Sequence, residues 1–257
     1  MELGLKGKNV LVTGASRGIG ASIACHFLEE GANVLIVSRG SENLYKVEED
    51  LQSKYGSEKV IAEKCDCSSM TSLTKLKKYV LQRWGSLDIV VANIGDGRSV
   101  SEAIPSEEQW NKTWKNNFDS ALCTARTFIP LLQKSNGCLL FVSSIAAKEA
   151  FGAPVDYSTA KTAVIALAKN MARKLANEVR VNVLAPGNVF FSGGSWDEKI
   201  KEDPVRVKNI IKSTVPMNRF GTPDEMADAA VFLCSERATF ITGSTLVIDG
   251  GQTVGIF

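Results

Sequence analysis

Apolar, strand-like runs alternate with amphipathic, helix-like segments along the whole chain, and that alternation is the pattern of a parallel sheet whose crossovers are helices. Asn9–Thr13, Asn33–Ser38, Val60–Lys64, Ile89–Ala92, Cys138–Ser143, Val181–Ala185 and Thr245–Ile248 read as strands. Gly18–Glu30, Ser41 to about Lys54, Ser69–Trp84, a long segment from Ser106 and Ser158–Asn177 read as helices. Thr222-Pro223-Asp224-Glu225 opens the last main one. Ser106 with Gln109, and Thr222 with Glu225, have capping-box spacing, and Gly31 stops the first helix. The expectation is an α/β fold, a Rossmann-type doubly wound parallel sheet of seven strands in the order 3-2-1-4-5-6-7 with helices on both faces. Residues 1–257 are expected to form one domain. Only Gly187–Asn218, rich in Gly, Ser and charge, reads as irregular. Inside a compact domain such a stretch marks a functional lid, here at about 188–218.

Composition narrows the function classes. The 257 residues carry a formal net charge of +2, so there is no basic footprint for nucleic acid. Lys75, Lys77 and Lys78 read as the solvated side of a helix. The start MELGLKGKNVLVTG lacks the apolar core of a signal peptide, and no apolar run reaches the ~18–20 residues of a membrane span. A cytoplasmic protein with no membrane association is expected, its six cysteines free thiols. Cys65 and Cys67 are spaced C-x-C without a second pair, so no metal site is expected. The single histidine, His26, falls among Ile23, Phe27 and Leu28 on a helix whose apolar stripe should face the sheet. A Ser-His-Asp hydrolase is hard to build with one histidine so placed. Acid/base chemistry must come from other side chains.

Gly14-Ala15-Ser16-Arg17-Gly18-Ile19-Gly20 follows the first strand and opens a helix. Glycines let the backbone turn sharply and approach a pyrophosphate, while the helix N-terminus offers unpaired N–H groups. Tyr157 and Lys161 are four apart in a helical segment and share one face. A tyrosine with an ordinary pKa near ~10 is a poor proton carrier at neutral pH, and a neighbouring ammonium would lower it.

Taken together these residues resemble the short-chain dehydrogenase/reductases over essentially the whole chain, with counterparts of the 3-oxoacyl-acyl-carrier-protein reductase type and related sugar or alcohol dehydrogenases. The spacing Thr13-Gly14-x-x-x-Gly18-x-Gly20 resembles the family's cofactor loop. Asp66 stands where the family holds the adenine ring, and Asn93-Ile94-Gly95 where it usually has Asn-Ala-Gly. Ser144, Tyr157, Lys161 and Asn117 match its active-site tetrad, and Pro186-Gly187 the turn at the nicotinamide end, followed by Val189. The resemblance implies that Tyr157 is the acid or base, Lys161 tunes it and binds the ribose, Ser144 holds the substrate oxygen, and Asn117 supports a proton relay through water. Ser143 competes with Ser144, and Asn116 with Asn117.

An acid at the end of the second strand would bind the ribose hydroxyls of NAD, whereas an arginine accommodates a 2′-phosphate. This chain has Ser38-Arg39-Gly40 there, so NADP(H) is expected, with Arg39 and Arg17 clamping the phosphate and Ser38 as a further donor. NAD(H) is the alternative. Two residues depart from the family pattern. Ile94 replaces its alanine, and Phe191 stands where a threonine often contacts the nicotinamide end, with Ser192 as a substitute. Phe190, Phe191 and Trp196 are expected to line the lid. The expected reaction is reversible hydride transfer between NADP(H) and a small carbonyl or secondary alcohol, with reduction favoured and a 3-oxoacyl thioester as one candidate. By resemblance the molecule is a homotetramer. The rivals are an NAD-linked alcohol or sugar dehydrogenase, a cofactor-sensing protein without turnover, and a nucleotide-sugar epimerase or dehydratase.

Overall fold

The computed structural model describes residues 2–256. Seven parallel strands form one sheet: β1 (Asn9–Thr13), β2 (Asn33–Ser38), β3 (Val60–Lys64), β4 (Ile89–Ala92), β5 (Cys138–Val142), β6 (Arg180–Pro186) and β7 (Thr245–Ile248). Their order is β3-β2-β1-β4-β5-β6-β7, as expected. β1, β4 and β5 are buried along their whole length, which is why they read as continuous apolar runs rather than alternating ones. The order reverses between β1 and β4, where Val10 lies opposite Ile89. That switch point opens a crevice at the carboxyl ends of the strands.

Two apolar layers sandwich the sheet. One packs α1 (Gly18–Glu29), α2 (Glu42–Tyr55) and α9 (Pro223–Cys234) on one face, around Phe27, Ile36 and Val91. The other packs α3 (Met70–Trp84), α5 (Ser120–Ser135) and α6 (Val155–Leu175), around Phe128, Phe141 and Leu139. His26 lies on the flank of α1 that meets α9, not beneath it on the sheet, 3.5 Å from Asp228 with Nδ1 donating to the Ser22 carbonyl. Among the described residues no helix is long and apolar enough to cross a membrane, and no group of His, Cys, Asp and Glu is arranged to hold a metal.

One expectation is refined and three are corrected. The long helix from Ser106 runs unbroken to Ser135 but is not α-helical throughout: α4 (Glu107–Trp114) passes through a π-helical turn at Lys115–Asp119 before α5. The extra residue of such a turn rotates the side chains that follow. Ser106 accepts from the Gln109 N–H, but the Gln109 side chain turns away to Ser99 and Thr113, so only half of that capping box exists. Thr222 and Glu225 make the complete box at α9. α6 starts at Val155, three residues before Ser158, which places Tyr157 in its first turn. Finally, the stretch read as irregular contains two helices, α7 (Ser195–Glu202) and α8 (Pro204–Thr214). Their hydrophilic sequences hid them: α7 buries no residue and α8 buries only Val207 and Ile211.

Candidate active site

The cofactor loop is built as the glycines predict. Gly14 and Gly18 have φ of 66° and 55°, a region costly for other residues. A Cβ on Gly20 would lie 2.5 Å from both the Gly14 carbonyl oxygen and Asn93 Nδ2, so only glycine lets α1 close onto the loop. Asn93 donates its amide to the Thr13 and Gly14 carbonyls, and Thr13 Oγ1 accepts from the Asn93 N–H. Asn93 therefore buckles the ends of β1 and β4 together. Ser16 is half-exposed at the loop's rim, and Ile19 packs against the core layer under α1. α1 has no side-chain cap and no acid in its first turn, which leaves its N–H groups and positive dipole end available to an anion. A dinucleotide pyrophosphate fits that end.

Around the loop the side chains are already engaged. Ser38 is buried and its hydroxyl donates to the Gly40 carbonyl at 2.5 Å. Arg39 is exposed and donates to Asn116 Oδ1 at 3.0 Å. Burial pushes the Asp66 carboxyl up, but two hydrogen bonds from Ser68, with Arg39 and Lys115 nearby, bring it below its usual value. Asp66 is thus an ionised acceptor beside Arg39. Arg17 is exposed, and its Nη1 donates to the Gly193 carbonyl at 2.9 Å. Phe191 lies across the glycine loop: a Cβ on Gly18 would be 2.7 Å from its ring. A phenyl ring there offers no hydrogen bond of the kind a threonine would.

The tetrad residues converge at the strand ends beside this loop. Ser143 is buried and its Oγ donates to the Lys161 carbonyl at 2.9 Å, which commits it to holding α6. Ser144 is half-exposed, and its hydrogen bonding favours the ionised form of Tyr157. The two serines are thereby told apart. Burial nevertheless holds the Tyr157 hydroxyl above its ordinary value, with the Asp96 charge acting in the same direction. The expected lowering by Lys161 is not a property of the protein by itself. The Lys161 ammonium is instead buried against the Val142 carbonyl at 3.0 Å and the Ile94 carbonyl at 3.4 Å. Burial brings its pKa down to about 8.

Asn117, 1% exposed, sits in the π-helical turn. It accepts from the Asp96 N–H and donates to the Asp96 and Thr113 carbonyls. Its neighbour Asn116 faces Arg39, so the π turn divides the two asparagines between catalytic and cofactor sides. Gly95 is the meeting point, since a Cβ there would lie 2.6 Å from Lys161 Nζ and 3.1 Å from Asn117 Oδ1. The ceiling continues to Gly97, whose Cβ position is 3.6 Å from Tyr157 Cζ.

At the far wall, Gly187 donates to the Ile248 carbonyl, and a Cβ on it would come within 2.7 Å of the Asp249 backbone. Pro186 closes β6, and Val189 is buried in a one-residue parallel bridge with Gly221. Phe190 and Trp196 cluster on Phe220, at 5.9 and 5.3 Å, a ring that the sequence reading did not include. Asp96, Ser99 and Asp156 also escaped it, because nothing in their spacing marks them.

Comparison with known proteins agrees with this geometry. A family model described as Enoyl-(Acyl carrier protein) reductase matches residues 14–253. The Short-chain dehydrogenase/reductase SDRA of Arabidopsis thaliana is 34% identical over 259 residues, covering 96% of this chain and 95% of the relative. A 3-oxoacyl-[acyl-carrier-protein] reductase of Chlamydia muridarum is 34% identical over 251 residues, covering 96% of this chain and 98% of the relative. The crystal structure of L-sorbose reductase from Gluconobacter frateurii, complexed with NADPH and L-sorbose, superposes with a TM-score of 0.92 at 28% identity, covering 100% of both chains. With the glycine loop, the tetrad and the sheet order in one arrangement, the chain belongs to the short-chain dehydrogenase/reductase family and is an oxidoreductase acting on a carbonyl/alcohol pair.

Proposed function

We propose that this protein is an NADP(H)-dependent reductase of small ketones, with 3-oxoacyl thioesters and hydroxylated ketones as the first substrates to test. The observation that carries the reading is the meeting of Lys161 and Asn117 at Gly95, with Tyr157 under the neighbouring Gly97 and Ser144 beside it, next to a glycine loop with an uncapped helix end. When bound, the cofactor would supply the hydride. Gly14, Ser16, Gly18, Ile19 and Gly20 would cradle its pyrophosphate, and Asp66, Asn93 and Gly95 would border the adenosine half. Pro186, Gly187 and Val189 would border the nicotinamide end. Ser144 holds the carbonyl oxygen, Tyr157 delivers the proton to it, and Lys161 with Asn117 carries the next proton inward. A Tyr157 held above its ordinary pKa is protonated at neutral pH, which suits donation to a developing alkoxide.

The preference for NADP(H) rests on Arg39, exposed beside Asp66 with no acid at the end of β2. A panel of a short 3-oxoacyl thioester, a ketose and an aryl ketone, followed at the NADPH absorbance and repeated with NADH, tests the reading. Turnover with NADPH should exceed that with NADH, and Arg39→Asp should reverse the order, because a carboxylate repels the 2′-phosphate and accepts from free ribose hydroxyls. The preference is refuted if wild type already favours NADH.

Residues 188–218 serve as the lid of this site in our reading. Arg17 to Gly193, and Arg98 to Glu198 at 3.0 Å, tie it to the cofactor loop and to the ceiling above Tyr157. NADPH and substrate together should lower amide hydrogen exchange across 188–218. Equal exchange with and without both ligands would make the segment a static wall. We further read the molecule as a cytoplasmic homotetramer. In that reading the six free cysteines stay thiols in a reducing compartment, among them buried Cys138, whose Sγ donates to the Leu233 carbonyl at 3.9 Å. Assembly is supported by the Trp110–Trp114–Phe118 ladder, partly exposed along the α4 side.

A further inference from the structure

Asp156 is 0% exposed, directly precedes Tyr157 and has no part in the proton path described above. Burying a carboxylate is costly unless hydrogen bonds replace its water. Here both oxygens are used. Oδ1 accepts the Tyr157 N–H at 2.8 Å, and Oδ2 accepts the Ser99 hydroxyl at 2.5 Å, the short distance of a charge-assisted bond. Ser99, having donated its one proton, accepts from Gln109 Nε2 at 2.9 Å. The same nitrogen donates its second proton to Thr113 Oγ1 at 3.0 Å. The Thr113 carbonyl in turn accepts from Asn117 Nδ2 at 3.0 Å. From Gln109 inward, donation runs one way and ends on the carboxylate.

That chain joins the first turn of α6 to the segment over Tyr157 and to α4. α6 has Pro154 at its N-cap and no side-chain cap there, so the Tyr157 N–H is satisfied only by Asp156. The segment 93–100 between β4 and α4 has no regular structure, yet its Gly97 covers the Tyr157 ring. We infer that Asp156 is a positioning residue for the reaction: its carboxyl oxygens are the acceptors that lock the first turn of α6, the ceiling at Ser99 and the α4 turn preceding Asn117 into one arrangement. This rests on the assignment of Tyr157 as the proton donor. A plain helix cap needs only the oxygen that meets the Tyr157 N–H, whereas this side chain also meets Ser99 with its second oxygen.

The test is kinetics of the full chain with the best carbonyl of the panel, nicotinamide fluorescence for NADPH affinity, and amide exchange over 94–104 and 155–160, which needs no substrate. D156A should lower kcat by ~10- to 100-fold, the range expected when a reacting group is displaced by up to an ångström. NADPH affinity should stay within about twofold, since the chain does not reach the glycine loop. Exchange over both segments should rise. In D156N the chain can run backwards: the new amide donates to Ser99, and Ser99 and Thr113 donate to Gln109 Oε1 once that amide flips. D156N should therefore keep turnover to within about threefold of wild type, whereas D156N/Q109A, which lacks that acceptor, should fall to the level of D156A, and Q109A alone, which leaves Ser99 bonded to Asp156, should be mild. Should D156A fail to fold, S99A breaks only the ceiling half and should lower kcat in the same direction. Wild-type kcat in D156A or S99A, or D156N as impaired as D156A, overturns the inference. Y157F separates the two readings. If it is fully active, the assignment of Tyr157 fails; if it is dead while D156A is normal, only the role of Asp156 fails.

Discussion

Replacing Tyr157 with phenylalanine is expected to lower turnover by at least ~10²-fold while leaving NADPH affinity nearly unchanged, the size typical of losing a general acid. The substitution keeps the ring that Gly97 rests on and removes only the hydroxyl whose neighbour is Ser144. The fold has no reason to change. The pH dependence carries a second, independent sign. Burial and Asp96 keep the hydroxyl above its ordinary value in the protein alone, so the protonated acid dominates at neutral pH. Oxidation of the alcohol, which needs the phenolate, should therefore quicken as pH rises from neutral into the alkaline range, while ketone reduction should not. Stopped-flow measurement of both directions, in wild type and Y157F, checks this. Turnover of Y157F within a few-fold of wild type would remove Tyr157 from the mechanism.

The second large effect belongs to Lys161. Its ammonium is 3% exposed and held by two backbone carbonyls, and burial brings its pKa from 10.5 to about 8. Lys161→Met should abolish turnover to a degree comparable with Y157F, because the proton path inward from Tyr157 loses its only ionisable member. Its effect on stability depends on pH. Below about 8 the lysine is charged in both folded and unfolded chains, and the folded one bears the full cost of burying it. Between about 8 and 10.5 the unfolded chain binds more protons, so the stability of wild type rises with pH through that window. Relative to K161M, wild type should gain on the order of 3 kcal/mol between pH 7 and pH 11. Loss of the ammonium also leaves the Val142 and Ile94 carbonyls short of a donor, at about 1–3 kcal/mol each, so the two proteins should be close in stability at pH 7. Urea unfolding of both at a series of pH values reads the difference. A flat difference would mean that the ammonium does not bear this burial cost.

These two residues also show why the site was only partly legible from the chain. Tyr157 and Lys161 share a helical face because they are four apart, and that follows from the period of the α-helix alone. Where the ammonium points does not follow from it. It turns to the ends of β4 and β5, whose carbonyls reach it only once the sheet and α6 are packed. Likewise the choice between Ser143 and Ser144, adjacent in sequence, is made by the Lys161 carbonyl that captures Ser143. Asn116 and Asn117 are separated by a π turn that no propensity signals.

By itself the sequence determined the strands, the helices that cover the sheet and the glycine loop, each from a short-range regularity: a run of buried β-branched residues, a helical period, a cap, or a fixed spacing of glycines. The set of Ser144, Tyr157, Lys161 and Asn117 came instead from the resemblance to a known family. The sequence reading missed the helices in Gly187–Asn218 because α7 and α8 bury too little apolar surface to show a period. Only the tertiary structure decided the contacts between residues distant in the chain. Phe191 lies on Gly18, Arg17 binds Gly193 across 176 positions, and Ser99 donates to Asp156 across 57. The physical reason is that a buried polar group must find a partner somewhere, but its own sequence neighbourhood does not say where. The packed elements decide which donor arrives, and at Asp156 they bring one from the ceiling over Tyr157.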